Sequence, residues 1–384
     1  MRYLDEYRDP QQCRLLLAEI RHAASRTWTI MEVCGGQTHG LLRYGIDQEL
    51  EGTVRLIHGP GCPVCVTPLQ AIDFAITLAR RPGVLLASFG DMLRVPGSRE
   101  SLLQARAAGG NVRIVYSPLD AVQLARRHPD LQVVFFAVGF ETTAPATALA
   151  VRQASQLQLS NFFLLVSHVR VQPAMEMLAQ TEDSGIQGFL AAGHVCTVTG
   201  YQSYEDFARR FRVPVVVTGF EPVDLLAGIL RCVQLLERGD PRAWNEYPRS
   251  VQARGNLAAQ RLMEETYEVC DRAWRGLGVV PGGGLRLRPL WAAFDAERCL
   301  EWNALPVTES GACRSGDVLT GRIKPTQCAC FGRECTPEAP LGAPMVSAEG
   351  ACAAYYRYAA PGSPLKAGPP TAEPLHPFGN AGNP

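Results

Sequence analysis

The chain has 384 residues, of which 47% are hydrophobic and 19% are charged. This composition provides enough apolar material for large buried cores and excludes a disordered or fibrous protein. Lysine plus arginine and aspartate plus glutamate each number 37, so the formal net charge is zero and nothing indicates a nucleic-acid-binding surface.

Thirteen cysteines are the most informative feature of the composition. The sequence contains no run of about 18 apolar residues, so it predicts no transmembrane helix. The N-terminal residues lack the basic and apolar regions of a secretory signal. We therefore expect a cytoplasmic protein. Cysteines in that compartment are metal ligands, catalytic thiols or small core residues more often than structural disulfides.

Short apolar runs alternate with stretches of helical periodicity through the first 240 residues. The alternation predicts parallel α/β sheets, because continuous runs of Val, Ile, Leu and Phe are typical of strands buried on both faces. The predicted strands are Thr29–Val33, Val54–His58, Val84–Ser88, Val112–Tyr116, Val133–Val138, Phe162–Ser167, Gly188–Ala192 and Val213–Thr218. The predicted helices include Arg14–Ser25, Leu69–Arg80, Leu119–His128 and Pro145–Gln156.

The rest of the chain differs in pattern. Residues 241–300 are expected to be mainly helical, and the Cys-, Gly- and Pro-rich stretch Cys313–Cys352 shows little periodicity. We expect one α/β domain over residues 26–128 and a second over residues 129–240. A third would combine residues 1–25 and 241–360, and the Pro-rich tail 361–384 would be disordered.

Cys34 follows the first predicted strand and begins the motif Cys34–His39 (Cys-Gly-Gly-Gln-Thr-His). Ligands of parallel sheets gather beyond the carboxyl ends of the strands, and adjacent glycines let backbone amides approach a bound group. A helix is expected to begin here, which would lower the pKa of the Cys34 thiol and favour the thiolate. The alternative is a small packing residue, but the surrounding motif favours a functional cysteine.

Cys62 and Cys65 follow the second predicted strand, in the segment His58–Cys65. A Cys-x-x-Cys pair either chelates a soft metal through two thiolates or forms a redox-active disulfide. Because neighbouring parallel strands end at the same edge of a sheet, we expect this pair to share a cleft with Cys34.

Two later strand ends carry further candidates. Glu141 ends the sequence Gly139–Glu141, which is repeated as Gly219–Glu221, and each glutamate either caps the next helix or faces a ligand. His194 is a candidate ligand, proton donor or anchor in the same cleft, although a lone histidine is commonly a hydrogen-bonded structural residue. Cys196 is expected to be a small buried residue.

Five cysteines lie in the loop-rich C-terminal stretch. Thiolates in a segment of little periodicity predict a metal staple, either zinc or a 4Fe–4S cluster. Zinc sites use close pairs, and Cys328-Ala329-Cys330 is too tight for such a pair, so the wide spacing favours a cluster. The four cysteines with that spacing are Cys313, Cys328, Cys335 and Cys352.

Together these motifs resemble the HypD family of nickel–iron hydrogenase maturation factors, over nearly the whole chain. The resemblance implies two related α/β domains and a third domain that holds a 4Fe–4S cluster. The segments that carry it are Cys34–His39, Gly59–Cys65, Gly139–Thr143, Gly193–Val195, Cys328–Pro337 and Met345–Tyr356.

The resemblance further implies a scaffold on which an iron atom acquires two cyanides and one carbonyl. Its partners would be a HypC-type small chaperone and a HypE-type cyanide donor, and the hydrogenase large-subunit precursor would receive the finished unit. Cys34 would bind the iron together with a cysteine of the chaperone. Cys62 and Cys65 would be redox-active or accessory thiols, with His194 and Glu141 beside them in the cleft. The cluster ligands would be Cys313, Cys328, Cys335 and Cys352.

The sequence departs from the family pattern at two positions. Pro344 stands where family members often carry a cysteine, and Cys330 stands where an apolar residue is expected, so Cys330 is an alternative fourth cluster ligand. One rival function is a thiol–disulfide oxidoreductase coupled to an iron–sulfur cluster, and another is a zinc-stapled binding module. Cys34 argues against the first, because a dithiol enzyme does not need a third thiol.

Overall fold

The computed structural model describes residues 5–181, 184–301 and 311–358. The predicted tail 361–384 lies outside the described residues. The strands are β1 Trp28–Glu32, β2 Val54–His58, β3 Val84–Ser88, β4 Val112–Ile114, β5 Gln132–Gly139, β6 Phe162–His168, β7 Gly188–Ala192, β8 Val215–Thr218, β9 Ala243–Asn245, β10 Tyr267–Trp274 and β11 Gly278–Leu287. All eight strands predicted from the sequence are confirmed.

The helices include the four that the periodicity predicts. The α-helices are α1 Pro10–Ala23, α2 Gly35–Arg43, α3 Ile46–Glu49, α4 Pro63–Val66, α5 Leu69–Arg80, α6 Leu102–Ala107, α7 Pro118–Arg127, α8 Ala144–Gln156, α9 Val171–Gln180, α10 Gly193–Thr199, α11 Ser203–Phe211, α12 Pro222–Glu237, α13 Leu257–Thr266, α14 Ala296–Cys299, α15 Ser315–Leu319 and α16 Ala351–Tyr358. Within the described residues, no helix is long and apolar enough to cross a membrane.

Nine strands form two parallel sheets. The five-stranded sheet has the order β2-β1-β7-β8-β9, and the four-stranded sheet has the order β4-β3-β5-β6. Every neighbouring pair in both sheets is parallel. The predicted α/β fold class, with two parallel sheets, is therefore confirmed.

The chain leaves the first sheet and later returns to it. β1 and β2 belong to the five-stranded sheet, β3 to β6 form the other sheet, and β7 to β9 complete the first. The ranges 26–128 and 129–240 therefore each supply strands to both sheets. Local apolar patterns show where strands lie but not which sheet a strand joins, because that choice depends on contacts distant in sequence.

An antiparallel hairpin, β10–β11, lies within residues 241–300. The prediction of mainly helical structure is wrong for this part of the chain. Trp274, at the end of β10, is 2% exposed and packs on Phe140 with ring centroids 5.9 Å apart. The charged residues interspersed along β10 gave no clear two-residue alternation, which is why the sequence did not reveal the strand.

Both faces of the five-stranded sheet are buried. Ile30, Leu190 and Val216 point into a core shared with α12, while their neighbours Met31 and Phe189 point into a second core. The side chains alternate between the two cores as the pleat requires. Burial on both faces leaves the carboxyl ends of β1, β2 and β7 as the place where polar side chains gather, with Glu32 of β1 beside His58 of β2.

Candidate functional site: a buried thiol site and a cysteine cluster

Cys34 lies at the carboxyl edge of the five-stranded sheet. It is the N-cap residue of α2, as the sequence predicts, and it is 1% exposed. The loop before Cys62 lies against it: the Gly35 amide donates to the Gly61 carbonyl oxygen at 2.9 Å. A Cβ atom at Gly61 would collide with the backbone of Cys34, so only glycine permits this close approach.

Burial raises the pKa of the Cys34 thiol, and the predicted lowering is wrong. Hydrogen bonds from the backbone of Gln37 and Gly36 favour the thiolate, but the cost of removing a charged sulfur from water outweighs them. The carboxylates of Glu32 and Glu349 act in the same direction as burial. The thiol is therefore protonated until a ligand replaces its proton.

Cys62 and Cys65 form a disulfide, with their Cα atoms 5.2 Å apart. Cys62 is the N-cap residue of the short helix α4, and both cysteines are at most 3% exposed. Of the two interpretations of the Cys-x-x-Cys pair, this geometry matches the disulfide. The pair directly follows Gly61, so it adjoins the backbone of Cys34 as the strand order predicts.

His194 faces Cys34 across the edge of the sheet. The Cys34 Sγ atom lies 3.7 Å from His194 Nε2 and 3.8 Å from His194 Nδ1. The imidazole stacks on the ring of Phe220, with centroids 5.1 Å apart and planes 14° apart. Burial lowers the pKa of His194 to about 4, so the ring is neutral at neutral pH. Phe220 lies in the repeated Gly-Phe-Glu sequence, but its position against His194 was not predicted.

The two glutamates of the repeated sequence have different surroundings. Glu221 is the N-cap residue of α12 and pairs with Arg8, which supports the capping interpretation. Glu141 is 6% exposed, and its carboxylate accepts a hydrogen bond from the Val171 amide at 3.1 Å, at the start of α9. Burial raises the pKa of Glu141 to about 7. The Glu141 carboxylate thus binds the N-terminus of α9.

Cys196 lies two residues after His194 and is fully buried, as expected. Burial is the largest cause of its raised pKa, and the nearby Glu141 carboxylate adds to it. Glu141 follows β5 of the four-stranded sheet, whereas Cys196 follows β7 of the five-stranded sheet. The carboxyl ends of the two sheets therefore approach each other at this point.

Glu32 supports the Cys34 loop, and sequence analysis missed it. Its Oε2 atom accepts a hydrogen bond from the Cys34 amide at 2.8 Å, and its Oε1 atom accepts one from the Thr38 hydroxyl. Glu32 is fully buried. A single glutamate at the end of an apolar strand carries no distinguishing pattern, so only the fold reveals this contact.

The C-terminal cysteines meet in one pocket. Phe331, Leu341 and Met345 contribute apolar walls, and the Leu341 amide donates to Cys335 Sγ at 3.4 Å. Cys330 lies in the same pocket with its sulfur 3.7 Å from the Ala312 carbonyl oxygen. The five thiols that line the pocket are Cys313, Cys328, Cys330, Cys335 and Cys352.

The spacing of these thiols bears on what they could hold. In the described part of the chain, no group of three or more His, Cys, Asp or Glu side chains is arranged to hold a metal ion. A zinc ion would need four ligands within about 2.3 Å of one point. A 4Fe–4S cluster binds each thiolate at a different iron, so its ligands lie farther apart. The donor set of four or five thiols in a pocket with apolar walls fits the cluster.

One short segment separates the cysteine pocket from the disulfide. The 3₁₀ turn Ala343–Met345 contributes Pro344 and Met345 to the pocket wall. The same turn packs against α4, the helix that carries Cys65. The two thiol sites are therefore neighbours in the fold, although Cys65 and the first cysteine of the pocket, Cys313, lie far apart in sequence.

The sequence is similar to a family model and to known proteins. A family model named HypD, described as the hydrogenase formation hypA family, matches residues 11–359. The chain is 47% identical over 367 residues to the hydrogenase maturation factor HypD of Azotobacter vinelandii, covering 93% of this chain and 97% of the relative. It is 46% identical over 366 residues to the protein of the same name from Escherichia coli K12, covering 93% and 98%.

A solved structure of a conserved domain protein from Vibrio cholerae is also similar to part of the chain. The identity is 12%, the TM-score is 0.13, and the alignment covers 71% of this chain and 98% of that one. This likeness is too weak to support any argument about fold or function.

Proposed function

Since the chain belongs to the HypD family of hydrogenase maturation factors, we propose that it is the scaffold on which the Fe(CN)2CO unit of a nickel–iron hydrogenase is assembled. The observation that carries the proposal is the position of Cys34. Its thiol lies within 3.8 Å of both ring nitrogens of His194, and its backbone packs against Gly61, the residue before Cys62. One thiol to hold the iron and two to exchange electrons are what this assembly requires.

Cys34 suits the iron that is being built because low-spin Fe(II) with cyanide and carbonyl ligands favours a soft, anionic donor. Iron binding displaces the thiol proton, and the neutral ring nitrogens of His194 lie 3.7 and 3.8 Å from that sulfur. Cys34 is 1% exposed, so its thiol is shielded from water before iron binds.

The Cys62–Cys65 pair supplies the electrons that cyanide transfer needs. Release of cyanide from a thiocyanate group on a donor protein breaks the S–C bond and consumes two electrons. Oxidation of the Cys62 and Cys65 thiols to their disulfide provides those two electrons. One of the two thiol protons goes to the donor's sulfur and the other to cyanide or solvent. The disulfide in the structure corresponds to the oxidised state after such a step.

The C-terminal pocket would hold the 4Fe–4S cluster. When bound, a 4Fe–4S cluster would supply electrons one at a time. We assign the ligands to Cys313, Cys328, Cys335 and Cys352, with Cys330 as the alternative fourth ligand in the same pocket. The turn Ala343–Met345 contacts both the pocket and α4, which supports electron transfer between the pocket and the disulfide.

The partners follow from the same reaction. A HypC-type chaperone would share the iron with Cys34 through its own cysteine, and a HypE-type protein would donate cyanide. The finished unit would pass to the hydrogenase large-subunit precursor in the cytoplasm. Because Cys34 is buried, loading requires the elements that cover it to move, and Phe220 and Glu349 are the residues packed on Gly36 and Gly35 beside it.

Infrared spectroscopy of the protein produced together with the chaperone and the cyanide donor tests the proposal. Cyanide and carbonyl stretching bands are expected from the wild type. They should be lost in a Cys62→Ala, Cys65→Ala variant, while the iron and sulfide of the cluster remain. Normal band intensity in that double variant would rule out the electron-transfer role of the pair.

The disulfide also suits a second function, a thiol–disulfide oxidoreductase coupled to an iron–sulfur cluster. Its pair is already oxidised and adjoins the cysteine pocket. Once an added chemical reductant has converted the Cys62–Cys65 disulfide to the dithiol, this alternative predicts reduction of partner disulfides by the purified protein, and activity that survives Cys34→Ala. The scaffold predicts that Cys34→Ala removes its function entirely.

A further inference from the structure

A chain of buried hydrogen bonds runs from the Cys34 loop to the helix that carries Cys352. It begins at Glu32, which is fully buried and accepts hydrogen bonds from the Cys34 amide and the Thr38 hydroxyl. These two bonds fix the first turn of α2, so the place of the Glu32 carboxylate determines where Cys34 lies.

His58 is the next member of the chain. Its Nδ1 atom lies 2.8 Å from Glu32 Oε1, and since a carboxylate oxygen accepts, Nδ1 is the donor. On the other side of the ring, Nε2 lies 3.1 Å from the Tyr355 hydroxyl. His58 is 3% exposed, so neither contact exchanges readily with water. The ring therefore connects the Glu32 carboxylate to the Tyr355 hydroxyl, and water does not readily replace either hydrogen bond.

Tyr355 completes the connection on α16. Its hydroxyl is shared between His58 and Asp47, whose Oδ2 atom lies 3.4 Å away, and Asp47 in turn pairs with Lys324. Tyr355 is 3% exposed. Cys352 lies three residues earlier in the same eight-residue helix, so the two side chains occupy neighbouring positions on its surface.

The contacts of α16 link its position to that of α2. The helix packs on α2, the helix that Cys34 caps, and Tyr358 forms a second polar contact with His39 of α2 at 3.1 Å. A ligand that holds Cys352 at one place in the cysteine pocket holds α16 there as well. Any displacement of α16 moves the Tyr355 hydroxyl relative to His58.

We propose that His58 and Tyr355 are positioning residues that couple the cysteine pocket to the Cys34 site. Through their hydrogen bonds to Glu32, the occupancy of the pocket sets the position of the Cys34 amide and sulfur. The inference rests on the proposed function, since it assigns the pocket to the cluster and Cys34 to the iron unit. It goes beyond electron transfer, because the connection is mechanical and requires no change of charge.

Tyr355→Phe tests the coupling, since it removes only the hydroxyl. The matched control is Tyr356→Phe on the same helix; that ring packs on Phe331, and its hydroxyl has no hydrogen bond among the described residues. Both proteins should keep wild-type iron and sulfide. Amide exchange measured over residues 34–38 should be roughly fivefold faster in Tyr355→Phe alone, the factor expected for one lost hydrogen bond.

The dependence on the pocket is tested by removing the cluster with an oxidant and a chelator. Exchange over residues 34–38 should rise in the wild type and in Tyr356→Phe when the cluster is removed. In Tyr355→Phe the loaded and stripped proteins should exchange alike. Equal responses of all three proteins to cluster removal would overturn the proposal.

A second variant tests the coupling between the cysteine pocket and the Cys34 site if Tyr355→Phe loses its cluster or does not fold. His58→Asn keeps an N–H donor near the place of Nδ1 and lacks the atom that reaches Tyr355. It should show the same fast exchange and the same insensitivity to cluster removal, and wild-type behaviour would contradict the coupling. The exchange measurements need no cargo, so absence of cyanide bands from the wild type would refute the proposed function without deciding this inference.

Discussion

At the scale of single residues, the site is a protonated thiol in a dry environment. Cys34, Cys62 and His194 were predicted because each follows an apolar strand and lies beside glycine, a local pattern that marks a ligand-facing edge. The bond from the Cys34 amide to Glu32 was not predicted, although the two residues are close in sequence, because a single glutamate at a strand end carries no distinguishing pattern. The stacking of Phe220 on His194 was not predicted because it requires β7 and β8 to be neighbours. The raised pKa of Cys34 was missed for a related reason: helix position is visible in a sequence, but the depth of burial is not.

Replacing Cys34 by alanine should abolish binding of the iron unit at little cost in stability. Loss of one buried sulfur is expected to lower the free energy of unfolding by about 1 kcal/mol. Cys232→Ala is the matched control, since Cys232 is equally buried but lies on α12, away from the site. Infrared spectra and urea unfolding of both variants check this. Loss of the infrared bands in both variants would show that binding of the iron unit depends on filled core positions in general and not on the thiol of Cys34.

His168 should make the protein less stable as the pH falls. Burial, aided by the charge of Arg272, lowers the pKa of His168 from 6.5 to about 3. Between these values the unfolded chain binds a proton that the folded protein excludes. Stability is therefore complete above pH 6.5 and declines toward pH 3, by up to about 1.4 kcal/mol per pH unit from this group.

The contribution of His168 is isolated by subtracting the unfolding free energy of His168→Gln from that of the wild type. Glu141, whose pKa is raised to about 7, titrates with the opposite sign, but it is present in both proteins and cancels in the difference. The difference should shrink as the pH is lowered below 6.5. A difference that is independent of pH would mean that His168 titrates normally.

At the scale of helices and strands, a buried carboxylate in the first turn of α12 helps to position the residues around His194. Asp224 lies in the first turn of α12 and is 4% exposed, and its carboxylate binds Arg249 in a two-bonded pair at 2.7 and 2.6 Å. Arg249 also covers the ring of Tyr7 at 3.6 Å. The pair fixes the segment Gly219–Glu221, which places Phe220 on His194.

Arg249→Ala should therefore destabilise the protein by about 3 kcal/mol, because it leaves the Asp224 carboxylate buried without its partner. Arg209→Ala provides the control: its pair with Asp206 is exposed on α11 and should contribute nothing measurable. Urea unfolding of the two variants gives the comparison. Similar midpoints for both would show that the Asp224 carboxylate finds another partner or water.

The C-terminal cysteine segment should depend on its cluster for order. Over residues 313–352 the described helices are short, so a bound cluster would supply much of the folding free energy there. Cys335→Ser should lose iron and sulfide and become sensitive to protease within this segment. Cys270→Ser, on the hairpin β10, should retain both. Full cluster content in Cys335→Ser would show that the ligand assignment is incorrect.

At the scale of the whole molecule, the sequence predicted the elements better than their assembly. All eight predicted strands and the α/β class are confirmed, since apolar runs such as Val84–Ser88 carry a strong local signal. The return of β7 to the side of β1 was not predicted, although it is what brings His194 to Cys34. The hairpin β10–β11 was also missed. The position of β7 depends on pairing between residues far apart in the chain, whereas the hairpin is a local structure whose interspersed charged residues hide its strand pattern.

The convergence of the five C-terminal cysteines on one pocket was predictable in part. Their spacing indicated a common ligand, and the structure places all five together. The hydrogen-bond chain from Tyr355 to Glu32 could not be predicted, because it joins α16 to β2 and β1 across almost the full length of the sequence. Local patterns thus locate the thiols, and the fold determines how they are connected.

The most direct test of the central claim is an infrared spectrum of the protein purified with its maturation partners, recorded beside that of Cys34→Ala. Iron and sulfide are measured on the same samples. We expect cyanide and carbonyl bands in the wild type, their loss in Cys34→Ala, and equal cluster content in both. Bands of equal intensity in the two proteins, or a wild type that holds a full cluster and shows no bands, would contradict it.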